Sequence, residues 1–342
     1  MDNYNFVYDN QNSDEMMQRA MYYQLSAKQE RKEIRKLGNI LGLVLIAFVA
    51  IQYICVLLLQ AAVGFYDAYE TSYIFQTSFT VIAVEILALC VPFGLMALAN
   101  KKKYVTPVIP TKKMSAGSVA LWVGFGMLCC IGADYFVGIV STISNTLGFE
   151  LTQPDTLEPD SFIACIFCVI GTAVVPAICE EFAMRCCGVG LLRIYGKAFA
   201  VTAIAIVFGL VHGNIVQFIF ATLVGLILGY VTVKTDSVVP AMFIHGFNNG
   251  MSVFSSVVDY ACGTSSFLSK NATVILFVFW VVVGVICTTC LAVKKEFKSV
   301  QPRQRMPYEN STGQKLATFF FVPGMILPFA YLIVSTVMTI KH

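Results

Sequence analysis

Residues 161–190 read SFIACIFCVIGTAVVPAICEEFAMRCCGVG. The stretch is long and apolar enough to cross a bilayer, which takes about 20 residues as an α-helix. It nevertheless contains the pair Glu180-Glu181 and, one turn later, Arg185. A charged side chain at the centre of a membrane helix costs roughly 2.5–3.5 kcal/mol, so ionisable residues in such a position indicate a functional site. The stretch therefore predicts a membrane helix that carries part of one.

The composition of the whole chain agrees with this interpretation. Of its 342 residues, 57% are hydrophobic and 13% are charged, and the mean hydropathy is +0.74. These values are typical of a polytopic membrane protein. A formal net charge of +3 gives no reason to expect nucleic acid as a partner. Most of the twelve cysteines fall within apolar runs, so a disulfide framework is not expected.

The apolar runs predict an all-α transmembrane bundle of about eight to nine spans. The expected spans are residues 38–64, 78–99, 115–146, 161–190, 198–212, 214–233, 237–257, 271–292 and 318–340. The fifth is short, and Gly213 separates it from the sixth. Pro323 and Pro328 interrupt the last, which could instead be a re-entrant or surface segment.

The basic residues predict the orientation. Those that follow the even-numbered spans lie on the same side as the N-terminus: Lys101, Lys102, Lys103, Lys112, Lys113, Arg193, Lys197, Lys234, Lys294, Lys295, Lys298, Arg303, Arg305 and Lys315. On the opposite side, residues 65–77 and 147–160 contain no Lys or Arg, and residues 258–270 contain only Lys270. The positive-inside rule then places the N-terminus in the cytoplasm.

Two regions are expected along the chain. Residues 1–36 are polar and basic, without the apolar core of a signal peptide, and form a cytoplasmic tail. Residues 37–340 form one transmembrane domain, with a catalytic core at about 160–257. No internal repeat or Gly/Ser linker divides it.

Polar residues from three predicted helices reach a similar depth. Measured from basic residues at the helix ends, at about 1.5 Å per residue, Glu180 lies roughly 20 Å into the membrane, His212 about 22 Å, His245 about 16 Å and Asn249 about 22 Å. We therefore expect one shared polar cavity within the bilayer.

Spacing within the helices suggests separate roles for these residues. His245 and Asn249 are four apart and project from one face. Glu180 and Glu181 point about 100° apart, and Arg185 follows Glu181 by four residues. We expect Glu180 to face the cavity as the working carboxylate, while Glu181 and Arg185 form a supporting ion pair.

Three short motifs carry a resemblance to a known family. Glu180-Glu181-Phe-Ala-Met-Arg185 matches EExxxR, Phe208-Gly-Leu-Val-His212 matches FxxxH, and His245-Gly-Phe-Asn-Asn249 matches HxxxN. In this order on separate membrane helices, they resemble the CPBP intramembrane proteases. That family comprises type II CAAX prenyl endopeptidases and the bacterial Abi proteins of bacteriocin processing and self-immunity. The resemblance covers about 160–257.

The resemblance implies peptide-bond hydrolysis. Glu180 and His212 would activate a water, while His245 and Asn249 would stabilise the oxyanion of the tetrahedral intermediate. A competing metalloprotease mechanism stays open, in which Glu180, His212 and His245 bind Zn²⁺. The chain has no HExxH motif. Both alternatives for the cofactor, zinc or none, therefore stay open.

The resemblance also implies the kind of substrate and the location to expect. The substrate would be a peptide or membrane-anchored protein in the lipid bilayer, either a prenylated CAAX-type protein or a bacteriocin or other peptide precursor. A bacterial plasma membrane is the expected location. Two other functions remain: a non-catalytic bacteriocin self-immunity protein, and a proton-coupled transporter, for which the repeated halves typical of such folds are missing.

Overall fold

The described chain is almost entirely helical. A computed structural model describes residues 4–101, 109, 111–151, 157–297 and 310–341, with side chains from residue 26 to residue 340 of these ranges. The α-helices are α1 (Tyr4–Ala61), α2 (Val63–Thr71), α3 (Tyr73–Thr80), α4 (Val91–Ala99), α5 (Ala116–Thr146), α6 (Phe162–Cys168), α7 (Val175–Glu181), α8 (Gly190–Leu192), α9 (Lys197–Leu210), α10 (Ile215–Thr235), α11 (Val239–Cys262), α12 (Phe267–Val293), α13 (Thr312–Phe320) and α14 (Pro323–Val337). A two-residue strand, β1 (Glu150–Leu151), pairs antiparallel with β2 (Ile340–Lys341). The predicted all-α bundle is confirmed.

Within the described residues, six helices are long and apolar enough to cross a membrane, so the protein is an integral membrane protein. They are Ser26–Ala61, Tyr73–Ala99, Ala116–Thr146, Phe162–Tyr195, Ile215–Thr235 and Phe267–Val293. Helices α13 and α14 would make a seventh, but they meet at an angle of 86°, where Pro323 begins α14. The predicted count of eight to nine spans is not confirmed.

The predicted fifth span is a half-length helix. Helix α9 has only 14 residues, and the chain turns back into α10 through Gly213, whose φ is +69°. Glycine adopts this left-handed conformation without a Cβ clash. His212 consequently lies in the turn that joins two closely packed antiparallel helices.

Three segments of π-helix interrupt the second and fourth spans. They are Val81–Cys90, Val169–Val174 and Phe182–Val189. Glu85 lies inside the first, and Glu180 and Glu181 lie in α7 between the other two. Because π-helical turns occur mostly as local insertions at functional sites, their position supports the location predicted for the site.

The bent pair α13–α14 is held against α1, which continues unbroken from the predicted tail into the first span. A Cβ atom at Gly42 would lie 2.0 Å from the carbonyl oxygen of Gly324, so only glycine permits this approach of α1 and α14. Near the N-terminal end of α13, Nζ of the buried Lys315 lies 2.7 Å from the carboxylate of Glu30 and donates to the carbonyl of Tyr195. These contacts fix the C-terminal helices to the rest of the bundle.

Burial differs sharply between the helices. All residues from Ala183 to Leu192 in the fourth span are buried, as are Ile204, Val207 and Phe208 on α9. In contrast, many apolar side chains of α5 and α12 are exposed, such as Ile139 and Phe279. Exposed apolar surface of this extent is expected of helices that face lipid. The centre of the bundle is therefore built around the fourth span and α9.

Candidate active site

Glu181 connects two of the predicted site residues. Its carboxylate is fully buried, and Oε1 lies 3.0 Å from Nη1 of Arg185, one turn along the same span. Nδ1 of His245, on α11, lies 2.9 Å from the same oxygen. A carboxylate paired with arginine can only accept hydrogen bonds, so Nδ1 of His245 is the donor. The ring nitrogen Nε2 is thereby directed away from Glu181.

That nitrogen faces Glu180. Nε2 of His245 lies 3.6 Å from Oε2 of Glu180, and the Glu180 side chain is 15% exposed whereas that of Glu181 is 0% exposed. Oε2 of Glu180 is itself buried, with no hydrogen-bond partner among the described residues. A buried carboxylate oxygen left unpaired is costly. Oε2 of Glu181 is likewise buried and unpaired, but only the Glu180 side chain is partly exposed. Glu180 is thus the member of the pair that a water or a substrate can reach.

His212 is fixed by its own backbone. Its Nδ1 lies 2.8 Å from the carbonyl oxygen of Phe208, four residues earlier. Since a carbonyl can only accept, Nδ1 carries the hydrogen, and Nε2 of the neutral ring is left as an acceptor. His212 can therefore hold a water or take a proton through Nε2.

The ring of Phe208 packs among the charged and titratable groups. Its centroid lies 5.0 Å from the ring of His212 and 6.0 Å from that of His245, and the guanidinium of Arg185 lies 4.6 Å above it. Such a cation–π contact stabilises a desolvated guanidinium. Phe208 therefore brings both histidines and Arg185 onto one apolar surface.

Glu85 joins the site from the second span. It is buried, its carboxyl group lies beside that of Glu180, and its Oε2 has no hydrogen-bond partner among the described residues. The two spans run parallel here, with Cys90 Sγ donating to the carbonyl of Cys179 at 3.7 Å. Two neighbouring carboxyl groups can hydrogen-bond to each other only when one of them carries a proton.

Asn249 lies one turn beyond His245 on α11. Its Nδ2 donates to the carbonyl of Thr172, 3.1 Å away on the fourth span. One of the two N–H groups of the amide is therefore engaged by protein, which leaves the other as a donor for a substrate. Its position keeps it on the helix face that carries His245.

Glu180, His212 and His245 are of the residue types that bind Zn²⁺. Among the residues that the structure describes, however, no three or more His, Cys, Asp or Glu side chains are grouped so as to hold an ion. Glu180, His212 and His245 therefore do not form a three-ligand site in this arrangement.

The sequence left some residues without an assigned role. Glu85 could have been selected as a candidate, because it is a lone carboxylate in an apolar span. Its contact with Glu180 could not be predicted, because the two residues are far apart in the sequence. Asn214 and Gln217, just after His212, bond to each other. Asn214 Oδ1 accepts from the backbone N–H of Gln217 at 2.8 Å and caps α10, and its Nδ2 donates to Oε1 of Gln217.

Together these features define a class: a polytopic helical membrane protein with glutamates and histidines clustered inside the bundle. Residues 162–251 match the family model described as type II CAAX prenyl endopeptidase Rce1-like, which confirms the resemblance to the CPBP proteases. The match covers about a quarter of the chain and includes Glu180, His212, His245 and Asn249. It supports a protease of this type that acts on a protein or peptide in a membrane. No curated protein and no solved structure matches the chain.

Proposed function

We propose that this protein is an intramembrane endopeptidase in which Glu180 and His212 activate a water for attack on a peptide bond. The observation that carries the proposal is the buried, unpaired Oε2 of Glu180, which lies 3.6 Å from Nε2 of His245. Both Glu180 and Nε2 of His212 are acceptors, so one water can donate a hydrogen bond to each of them. Removal of one proton by Glu180 then produces the nucleophile.

His245 and Asn249 would stabilise the negative charge that develops on the substrate carbonyl oxygen. Glu181 fixes His245 through Nδ1, so Nε2 is the nitrogen presented to the substrate. Because Nδ1 already donates to Glu181, Nε2 can donate only when the ring is an imidazolium. In that form, Nε2 and the Nδ2 amide of Asn249 would supply two hydrogen bonds to the oxyanion. Preorganised donors in a site without bulk water stabilise such charge more strongly than water does.

Glu180 also returns the proton. After the tetrahedral intermediate collapses, the leaving amine needs a proton, and the protonated Glu180 can supply it. The position of Glu85 beside Glu180 supports this role, since a second carboxylate nearby could share the proton. The reaction is complete without a metal ion: one water is consumed, one peptide bond is broken, and an amine and a carboxylic acid are formed.

The location and the substrate class belong to the same proposal. The distribution of Lys and Arg favours an N-terminus in the cytoplasm, and the family's bacterial members favour a plasma membrane. A peptide precursor, such as a bacteriocin, and a prenylated CAAX-type protein are both compatible with an Rce1-like protease.

Comparison of peptide termini tests the proposal. Membrane and secreted peptides are collected from cells that express the wild type, Glu180→Gln or no protein, with equal amounts of the two variants verified in the membrane. New termini are expected only with the wild type. If both variants give identical termini, hydrolysis by Glu180 is refuted, and a binding role such as bacteriocin self-immunity takes its place.

A further inference from the structure

A cavity lined by both polar and apolar residues adjoins the site on one side. It has a volume of about 390 Å³, within the range of about 300–1,000 Å³ usual for ligand pockets. The walls come from α3, the fourth span and α11, and the polar side chains used below are Tyr73, Gln76, Thr77, Thr172, Ser252 and Ser256. We call this cavity the polar vestibule.

The vestibule continues the helix face that carries the catalytic candidates. On α11, His245, Asn249, Ser252 and Ser256 follow at intervals of four, three and four residues, which places them along one face. The bond from Asn249 Nδ2 to the carbonyl of Thr172 joins two walls at its inner end, because Thr172 also lines the vestibule. The vestibule thus begins where the site ends.

On the side away from the vestibule, the site is covered by buried residues. Towards Arg193, every residue from Ala183 to Leu192 is buried, and Phe208 covers the histidines from α9 with 2% exposure. The vestibule instead lies at the end of the bundle where α3 begins and α11 ends, opposite the loops that contain Arg193 and Lys234. A chain that reaches Glu180 from that end passes through hydroxyl and amide groups.

The chemistry of the lining selects a type of ligand. Hydroxyl, phenol and amide groups offer hydrogen bonds to a peptide backbone, whereas a prenyl chain has no donor or acceptor to offer in return. Glu158 stands at the rim and is exposed. Acidic residues also outnumber basic ones among the described residues of this end, with Asp67, Glu70, Glu150, Glu158, Asp160 and Asp259 against Lys270 and Lys341.

We propose that the polar vestibule is the substrate-binding cleft, and that it takes an unlipidated, extended peptide segment carrying a basic residue, which enters from the end of the bundle opposite the basic loops. This inference rests on the proposed function and narrows its substrate. The backbone of the segment would bond to the hydroxyl groups of α3 and α11. Its basic residue would pair with Glu158.

Matched pairs of variants test the cleft. The probe is a synthetic peptide that spans the strongest Glu180-dependent cleavage site found in cells. Ser256→Leu fills the vestibule, and Ser255→Leu is the control, because Ser255 is the next residue on α11, similarly half-buried, but does not line the cavity. We expect Ser256→Leu to raise KM about tenfold with little change in kcat, the pattern of lost binding that is equal in ground and transition states. Ser255→Leu should match the wild type.

A second pair of variants tests the role of the negative charge of Glu158. Both substitutions are at exposed positions, where they do not disturb the packing of the fold. Glu158→Lys should raise KM for a peptide with a basic residue and lower it when that residue is replaced by glutamate. Asp160→Lys, two residues away and also exposed, should have a much smaller effect on either peptide.

The outcomes separate the two proposals. Equal KM values for Ser256→Leu and Ser255→Leu, with Glu180→Gln inactive, would overturn the cleft and leave the protease intact. A requirement for a prenyl group on the probe would overturn it as well. The absence of any Glu180-dependent terminus would remove the proposed function, and the cleft with it.

Discussion

Nδ1 of His245 lies 2.9 Å from Oε1 of Glu181, so the second glutamate of the pair orients the histidine that faces the first. The same oxygen lies 3.0 Å from Nη1 of Arg185. Both partners are almost completely buried. Glu181 therefore has a structural and an orienting role at once, whereas the sequence suggested only the ion pair.

Replacement of Glu181 by glutamine should lower both stability and activity. Removing one partner of a buried ion pair leaves the other charge uncompensated, which costs about 3–5 kcal/mol. The orientation of His245 would also weaken, and loss of such a supporting carboxylate typically costs about 10–100-fold. Thermal unfolding in detergent and peptide turnover measure the two effects.

The double variant Glu181→Gln/Arg185→Met is the control for charge. It removes both ions, so it should recover much of the lost stability without recovering activity. A single variant as stable as the wild type would contradict the ion pair.

Substitution of Asn249 by alanine should slow turnover by roughly 10²–10³-fold if its amide binds the oxyanion. The effect should fall mainly on kcat, because the bond forms only in the transition state. The control is Asn271→Ala on α12, where the amide donates to the carbonyl of Phe267 in its own helix. Equal kcat values for the two variants would remove Asn249 from the mechanism.

Glu85 should matter because its carboxyl group lies beside that of Glu180. Glu85→Gln keeps a group that can donate a hydrogen bond to Glu180, whereas Glu85→Leu removes it. We therefore expect turnover to be largely retained in Glu85→Gln and to fall by about tenfold or more in Glu85→Leu, as for other lost supporting contacts. If both variants are equally active in a turnover assay, Glu85 only fills space.

Metal chelators should leave turnover unchanged. The described residues assemble no three-ligand group, and the proposed water activation needs only Glu180 and His212. Turnover is measured after incubation of the detergent-solubilised protein with 1,10-phenanthroline, with a zinc protease as positive control. Inactivation that added Zn²⁺ reverses would establish the metalloprotease mechanism instead.

Much of the fold was predictable because hydropathy acts locally. Apolar runs of about 20 residues specify membrane helices regardless of what they contact, and the helices Ala116–Thr146, Ile215–Thr235 and Phe267–Val293 lie close to the predicted 115–146, 214–233 and 271–292. The predicted count of eight to nine spans was not confirmed. Helix α9 and the sharply bent pair α13–α14 are short apolar helices, and composition does not reveal how far they extend into a membrane.

The sequence alone identified the apolar segments that contain Glu180, His212, His245 and Asn249, because polar residues stand out in apolar runs. Fixed helical spacing also showed that His245 and Asn249 share a face. It did not show that His212 lies in a turn. Tertiary structure decided which atoms meet. The bond from His245 to Glu181, the contact of Glu85 with Glu180 and the position of the vestibule all join residues that are distant in the chain. Each depends on how helices pack and rotate against one another, and helical periodicity within a single span carries no information about that.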